Sequence, residues 1–282
     1  MLDICMYTWA AQLEAGQWVL DVGSGAGSFP ASWFKCSVVA LDEDTDAFQT
    51  AVRPLPERQY RIFGRSDSIP FGDASFDLVI CHHSLEHIVE IDKTLAEIQR
   101  VLKPNGRFYV AIPNGYGLCD GIYRFVFEGG GHVNRFTKSQ VVSLIESRMG
   151  IRLVRWQKLY SSFAYLWRLE ELLAAPPPDL SKRLLALRRL PRGALRKVQR
   201  WLNVGTRRAD RKLGTDLAVY GWALFFERSE EPVREEPGYL NVCMNCGAGQ
   251  EAASLEREPG VGYRCRGCGV VNPYFKPFGN TI

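Results

Sequence analysis

Five short apolar runs in the first 115 residues constrain the fold more than any other feature of the chain. A helix-like segment, 91–102, separates the last two, with apolar residues at i, i+4, i+7 and i+11 on one helical face. The runs lack polar alternation, as expected for strands covered on both faces. Alternating strands and helices predict an α/β fold with a doubly wound parallel sheet. The runs span 18–22, 37–41, 59–63, 76–81 and 107–112.

The remainder of the chain predicts two more strands and a division into parts. A helix over 137–148 begins with a capping box formed by Thr137 and Gln140. The last strand candidates are 151–160 and 217–227, separated by an insertion that opens with an aromatic helix over 163–173. We therefore expect a core over 1–160, a helical basic insertion over 161–216, the last core strand over 217–229 and a C-terminal module over 238–282. A charged linker, 229–237, precedes that module.

The composition is that of an ordinary globular protein. Of the 282 residues, 46% are hydrophobic and 23% are charged, so a sizeable core can be buried. No apolar run approaches the roughly 20 residues that span a bilayer. The first residues do not have the pattern of a signal peptide. We expect a cytoplasmic protein.

A glycine-rich turn directly follows the first strand, with glycines at 23, 25 and 27. Glycine allows a positive φ and the close approach of a ligand to the backbone, although such a turn can also be a simple tight connection. Dinucleotide-binding folds need a third glycine where this chain has Ser28. Asp42 ends the second strand about 20 residues later, where a carboxylate can bind ribose hydroxyls. It could equally be a solvated acid beside Glu43.

Five segments in order resemble motifs of the class I S-adenosylmethionine-dependent methyltransferase superfamily, particularly its ubiquinone/menaquinone branch. Asp21–Gly27 is similar to the D-x-G-x-G-x-G motif, and the turn before the fifth strand is similar to L-K-P-G-G. The resemblance implies a Rossmann-like, seven-stranded fold and S-adenosylmethionine as cofactor. The segments are 21–27, 39–42, 68–79, 84–88 and 102–107.

The resemblance also implies a set of cofactor-binding residues. The family often has an aspartate that reads adenine in the place of Arg65, so Asp67 or the backbone at Ser66 must substitute. Cys81 follows isoleucine rather than the proline typical of base-methylating nucleophiles, which favours a small buried residue. The cofactor-binding candidates are Asp21, Gly23, Ser24, Gly25, Gly27, Asp42, Glu43, Ser66, Asp67 and Cys81.

Methyl transfer chiefly requires alignment of an acceptor with the activated methyl group. An oxygen acceptor also needs a base, for which His82, His83 and His132 are candidates, with His83 and His132 favoured. Alternatively, His83 corresponds to a residue of the family that does not act as a base. His132 would then be a loop histidine that caps the next helix. His87 is expected to be a structural residue of a helix.

Four cysteines near the C-terminus follow the pattern C-x2-C-x18-C-x2-C, which resembles a zinc ribbon. Four thiolates complete a tetrahedral zinc site without an open position, so the predicted role is structural. An iron centre or free thiols are the alternatives. The predicted ligands are Cys243, Cys246, Cys265 and Cys268.

The insertion is strongly basic. Residues 181–212 contain 12 lysines and arginines and one acid, Asp210. Pro191 divides them into two short amphipathic helices, which suit an anionic membrane surface or RNA, or form a solvated lid. We expect the sixth strand to run parallel to its neighbours, which places the insertion at the ligand-binding edge of the sheet.

Three functions remain open. The first is methyl transfer to a small-molecule, lipid or glycan-linked acceptor at oxygen, with peripheral membrane association as an option. The second is RNA methylation guided by the zinc module and the basic insertion. The third is a non-catalytic protein that binds a partner protein through the zinc module.

Overall fold

A computed structural model describes residues 12–25, 35–44, 58–129, 131–161, 163, 166 and 182–228. It also describes short C-terminal segments, which are 234–236, 241–242, 249–250, 256–258, 262–267 and 269–273.

Among the described residues, eight strands form one sheet in the order β3-β2-β1-β4-β5-β7-β6-β8. The first five strands run parallel to one another. Their bounds are β1 Trp18–Val22, β2 Ser37–Asp42, β3 Gln59–Phe63, β4 Phe76–His82, β5 Leu102–Pro113, β6 Arg152–Tyr160, β7 Val219–Glu227 and β8 Arg234–Glu236. The predicted Rossmann-like sheet of seven strands is therefore confirmed, with a short eighth strand at its edge.

Two details of the sheet differ from the prediction. β7 pairs antiparallel with both β5 and β6, so β6 runs in the direction of β1–β5 but lies beside an antiparallel neighbour. β8 pairs with β6 inside the segment predicted as a linker, because the edge of β6 offers unpaired backbone groups.

The fifth strand begins earlier than the sequence indicates. β5 starts at Leu102, which pairs with Phe76, whereas the next pair joins Leu78 to Arg107. Four residues of β5, 103–106, therefore lie between these two pairs, opposite a single residue of β4. The predicted turn at 104–106 is an irregularity of register within the strand.

Five helices are described, with bounds α1 Ile91–Val101, α2 Leu118–Val126, α3 Lys138–Met149, α4 Lys182–Arg188 and α5 Arg192–Leu213. Leu95 and Ile98 of the predicted apolar face of α1 are fully buried. The capping box of α3 is confirmed, since Gln140 N donates to Thr137 Oγ1 at 3.3 Å and Thr137 N donates to Gln140 Oε1 at 2.8 Å. The two sheet faces bury separate apolar clusters.

The basic insertion forms one short and one long helix rather than two short ones. α5 has 22 residues, and the side that it buries is mostly polar, including Gln199, Asn203 and Arg207. Its only acid, Asp210, accepts hydrogen bonds from the backbone N–H groups of Leu217 and Ala218 just before β7. Polar contacts thus fix α5 to the sheet. The predicted aromatic helix lies outside the described residues except for Phe163 and Leu166.

In the part of the chain that the structure describes, no helix is long and apolar enough to cross a lipid bilayer.

Candidate functional site

The glycine-rich turn joins three elements at the carboxyl ends of the strands. The backbone N–H groups of Gly23 and Ser24 both donate to Leu41 O, at 2.9 and 3.2 Å. Gly23 has a φ of +68°, and a Cβ there would lie 2.5 Å from Ser84 Cβ in the loop after β4. Only glycine therefore fits at position 23, as the close approach of two loops requires.

Asp42 fixes the second half of this turn. Its Oδ2 accepts a hydrogen bond from Gly25 N at 2.6 Å, and its Oδ1 accepts one from Asp44 N at 2.8 Å. Glu43 is exposed, with a carboxylate oxygen 3.8 Å from an Arg65 nitrogen. The carboxylate of Asp42 thus lies at the cavity wall, held by backbone groups.

Asp21 is the most unusual acid of the site. Its side chain is 1% exposed, and neither carboxylate oxygen has a hydrogen-bond partner among the described residues. Burial, and secondarily the negative charge of Asp42, raises the pKa of Asp21 to about 7. A buried acid without a partner is costly, so this position fits a cationic ligand group.

A cavity of about 330 Å³ opens beside these groups. Its wall includes the glycine turn, the end of β2, the residues after β3 and the loop after β4. Among the predicted residues, Gly23, Asp42, Glu43, Ser66 and His83 line it. The carboxyl ends of parallel strands are where open α/β sheets bind ligands.

The two residues predicted to contact adenine, Ser66 and Asp67, have different surroundings. Ser66 lines the cavity, and its hydroxyl lies 3.0 Å from Thr94 Oγ1. Asp67 instead forms a two-bond ion pair with Arg65, at 2.8 and 2.6 Å, and this bonding lowers the pKa of its carboxyl. Among described residues the cavity wall therefore includes Ser66 and not the Asp67 carboxylate.

Five other predicted cofactor residues are not part of the described cavity wall, namely Asp21, Ser24, Gly25, Gly27 and Cys81. Cys81 is fully buried in the apolar cluster, and burial strongly raises the pKa of its thiol. Ser24 is buried, and its hydroxyl has no partner in the described part of the chain. Gly27 lies outside the described residues.

His83 lies between two polar side chains at the cavity wall. Its Nε2 is 2.8 Å from the Tyr220 hydroxyl, and its Nδ1 is 3.4 Å from Glu86 Oε1. Its φ of +55° is unusual for a residue other than glycine, and such strain clusters at functional sites. This geometry can accept a proton at one nitrogen and stabilise the resulting charge at the other.

The other predicted base, His132, does not line the cavity. Its Nδ1 lies 3.1 Å from Asp120 Oδ1, and its ring stacks on Tyr123 with a centroid distance of 5.3 Å. The helix that follows is capped by Thr137, so His132 is not its cap. Burial lowers the pKa of the third candidate, His82, well below its usual value.

Comparisons with known proteins agree with this geometry. Residues 20–110 match the family model described as "Methyltransferase domain". A demethylmenaquinone methyltransferase of Renibacterium salmoninarum is 40% identical over 98 residues, which are 34% of this chain and 41% of that protein. The uncharacterized methyltransferase YcgJ of Bacillus subtilis is 30% identical over 167 residues, covering 57% of this chain and 61% of that one.

Solved structures support the same fold. A phosphoethanolamine N-methyltransferase of Haemonchus contortus, in complex with S-adenosylhomocysteine, matches with a TM-score of 0.56 at 18% identity, over 80% of this chain and 52% of that one. By its family match, the part of the chain over residues 20–110 is a methyltransferase domain, and the solved structure shares its fold. The chain covers 41% and 61% of the two curated relatives named above, less than two thirds of their length.

The residues around the cavity fit S-adenosylmethionine as cofactor. The partnerless carboxylate of Asp21 suits the cofactor's amino group, and the backbone at Gly25 is open among the described residues, so a ligand can approach it. Asp42 and Ser66 lie on the cavity wall, at the ends of β2 and β3.

His87 was expected to be structural, but it lies in a turn before α1 and lines the cavity. Its ring meets that of His132 at a centroid distance of 4.9 Å. Glu86 beside it is 2% exposed, and its Oε2 has no partner among the described residues. Sequence reasoning missed this cluster because Glu86 and His87 lie 45 or more residues from His132 along the chain.

The C-terminal zinc module stays a prediction. Cys243, Cys246 and Cys268 lie outside the described residues. Cys265 is buried after the short strand Gly262–Arg264, and its carbonyl accepts a hydrogen bond from Gly269 N at 2.8 Å. Gly269 has a φ of +73°, a left-handed conformation that glycine adopts readily in tight turns.

Proposed function

We propose that this protein transfers the methyl group of S-adenosylmethionine to an oxygen atom of a small-molecule, lipid or glycan-linked acceptor. The observation that carries the proposal is the buried, partnerless carboxylate of Asp21 beside a glycine turn that Asp42 holds in place. A buried acid is stabilised by a cation or a proton, and the methionine part of the sulfonium cofactor carries an ammonium group that can act as this cation.

The chain's own residues account for cofactor binding. Asp21 pairs with the amino group, Asp42 accepts from the ribose hydroxyls and Ser66 contacts the base. The bound cofactor supplies an electrophilic methyl group, so the protein contributes mainly orientation, which provides up to roughly 7–11 kcal/mol for well-aligned partners.

Oxygen as the acceptor atom is supported by the groups around His83. When the new O–CH₃ bond forms, the S–CH₃ bond breaks and its electron pair stays on sulfur. The hydroxyl proton must then leave. His83 Nε2 receives it when the acceptor hydroxyl takes the place of the Tyr220 hydroxyl, which lies 2.8 Å from Nε2. Glu86 Oε1, 3.4 Å from Nδ1, stabilises the imidazolium.

The relatives support methyl transfer without fixing the acceptor. Their printed names describe acceptors as different as demethylmenaquinone and phosphoethanolamine. An acceptor for this chain must therefore be found by experiment. We would incubate the protein with methyl-labelled cofactor and separate small-molecule, lipid, glycan and RNA fractions of cells. Label in an ether or ester linkage outside the RNA supports the proposal, whereas label confined to RNA favours the second function of the sequence analysis.

Cofactor binding is the first test, by calorimetric titration of the zinc-loaded protein with S-adenosylhomocysteine. We expect micromolar or tighter binding, and a loss of about 10–100-fold in Asp42→Ala, since a charge-assisted hydrogen-bonding group is removed. Asp73→Ala is the matched control because this exposed acid pairs with Arg100 and does not line the cavity. No binding by folded wild-type protein would contradict the proposal and leave the non-catalytic function.

We further propose that α5 brings the enzyme to an anionic lipid surface. Trp201 is 83% exposed and Val198 is 50% exposed, among the exposed basic residues Arg196, Lys197 and Arg200. A basic face with an exposed tryptophan suits a lipid headgroup layer. Vesicles with phosphatidylglycerol should sediment the wild type and release Trp201→Ser, and binding to RNA instead would overturn this assignment.

A further inference from the structure

Glu86, His87 and His132 form a cluster of potential metal ligands that the methyl-transfer mechanism does not explain. Each offers one ligand atom, and the three atoms lie within 4.8 Å of one another. Ligands on a common ion at bond lengths of about 2.0–2.2 Å are about 3–4 Å apart. A small inward shift of these side chains therefore brings them to coordination distance.

Hydrogen bonds already orient both imidazole rings. His87 Nδ1 lies 3.0 Å from Gly131 O, and a carbonyl can only accept, so this nitrogen holds the proton. His132 Nδ1 lies 3.1 Å from the Asp120 carboxylate. In both rings Nε2 is left as the nitrogen with a lone pair. A second nitrogen bound to a carbonyl or carboxylate is the usual arrangement for a metal-ligating histidine.

The cluster includes two buried carboxylates, each with one oxygen that has no hydrogen-bond partner among the described residues. Glu86 is 2% exposed and Asp120 is 3% exposed. Glu86 Oε2 and Asp120 Oδ2 have no hydrogen-bond partner among the described residues. Buried acids of this kind need a compensating cation or proton.

We propose that Glu86 Oε2, His87 Nε2 and His132 Nε2 bind a divalent transition-metal ion at the edge of the cofactor cavity. Two imidazoles and one carboxylate suit Zn²⁺, Mn²⁺ or Fe²⁺ better than the oxygen-preferring Mg²⁺ and Ca²⁺. Asp120 is a positioning residue that orients His132 and stabilises its coordinated form.

The ion would have an open coordination position, because three protein ligands do not fill its coordination sphere. His87 lines the cavity, so the open position is accessible from it. Resting on the proposed function, the site assigns the acceptor to hydroxyl compounds that coordinate through the reacting oxygen. A bound ion would supply Lewis-acid chemistry at this position and would lower the pKa of a coordinated hydroxyl, whose proton His83 would receive.

The test is the metal content of full-length protein after equilibrium dialysis against zinc and, separately, manganese. The wild type should hold one ion more per chain than Glu86→Gln and His132→Asn, since the cysteine site contributes equally to all three. Glu90→Gln is the matched control, because this exposed acid pairs with Lys93 outside the cluster. Asp120→Asn retains all three ligands and should weaken binding by about 10–100-fold.

Equal metal content in the wild type and both ligand variants would overturn the proposal. Circular dichroism shows that each variant is folded, and S-adenosylhomocysteine binding, measured on the same samples, separates the two proposals. Cofactor binding without the additional ion overturns the metal site alone. The additional ion without cofactor binding supports the metal site and overturns the proposed function.

Discussion

Two groups of buried acids lie near the residues that line the cavity, and they differ in what surrounds them. Asp21, in β1 just before the glycine turn, forms the first group and has no partner among the described residues. Glu86 and Asp120 each face a histidine, at 3.4 and 3.1 Å. The first group suits a ligand with a permanent positive charge, whereas the second suits groups that exchange protons or coordinate a metal. The same buried charge thus supports different chemistry according to its neighbours.

The largest effect is expected for Asp21→Asn, whose stability is measured over a range of pH. Because the folded-state pKa of Asp21 is raised from 3.8 to about 7, the folded state binds more protons in that range, and stability is lost as pH rises from about 4 to 7. At roughly 1.4 kcal/mol per pKa unit, the loss is up to about 4 kcal/mol. Asp21→Asn should abolish it, as thermal or denaturant unfolding of ligand-free protein at several pH values will show.

In the wild type, the pH dependence of cofactor affinity should be opposite to the pH dependence of stability. An ammonium group binds ionised Asp21, so affinity for S-adenosylhomocysteine should increase with pH up to about 7 in the wild type. Asp21→Asn should bind at least tenfold more weakly at pH 8 and lose this pH dependence. Calorimetry at pH 6 and pH 8 checks both statements, and an unchanged pH dependence would show that another group titrates.

Among substitutions that strain the backbone, Gly23→Ala should reduce cofactor affinity the most. A Cβ at position 23 meets Ser84 Cβ at 2.5 Å on a backbone with φ of +68°, so the turn must move. We expect a loss of about 3 kcal/mol in the free energy of unfolding and at least 100-fold in cofactor affinity. Gly25→Ala is the comparison for backbone strain without a clash inside the protein, since φ is +54° and no atom of the described residues lies within 4 Å of the added Cβ.

Asp120→Asn should affect only the second group, the buried acids that contact histidines, and not the surroundings of Asp21. Asp120 lies in α2, removed from the glycine turn, and its Oδ1 contacts His132 Nδ1. Cofactor affinity should remain within about twofold, whereas the free energy of unfolding should change by about 1–2 kcal/mol because a charged hydrogen bond is weakened. A tenfold change in cofactor affinity would show that the two groups are coupled.

The smallest expected effect is that of Thr137→Ala, which lies outside both groups. Loss of the capping box costs about 1 kcal/mol of unfolding free energy. Binding of cofactor and metal should be unchanged. This variant shows what a general loss of stability does to both measurements, and a selective effect on either would assign α3 a role in that site.

Local sequence determined most of the fold. The apolar runs placed the strands, because residues covered on both faces of a sheet must be apolar. The helix face at Leu95 and Ile98 and the cap at Thr137 were readable for the same reason, since each depends on neighbours within one or two turns. The glycine spacing and Asp42 indicated the cofactor class because the turn and the strand end are local features.

Tertiary structure alone decided which side chains meet across long separations in the chain. Tyr220 reaches His83 only because β7 inserts antiparallel between β5 and β6, which no local pattern specifies. The loop after β5 returns His132 to His87, and helix α2 supplies Asp120. Sequence periodicity reports what each element buries, but not which element will cover it. The glycine turn and the strand ends at the cavity thus follow from local sequence, whereas long-range packing decided which groups surround the histidines.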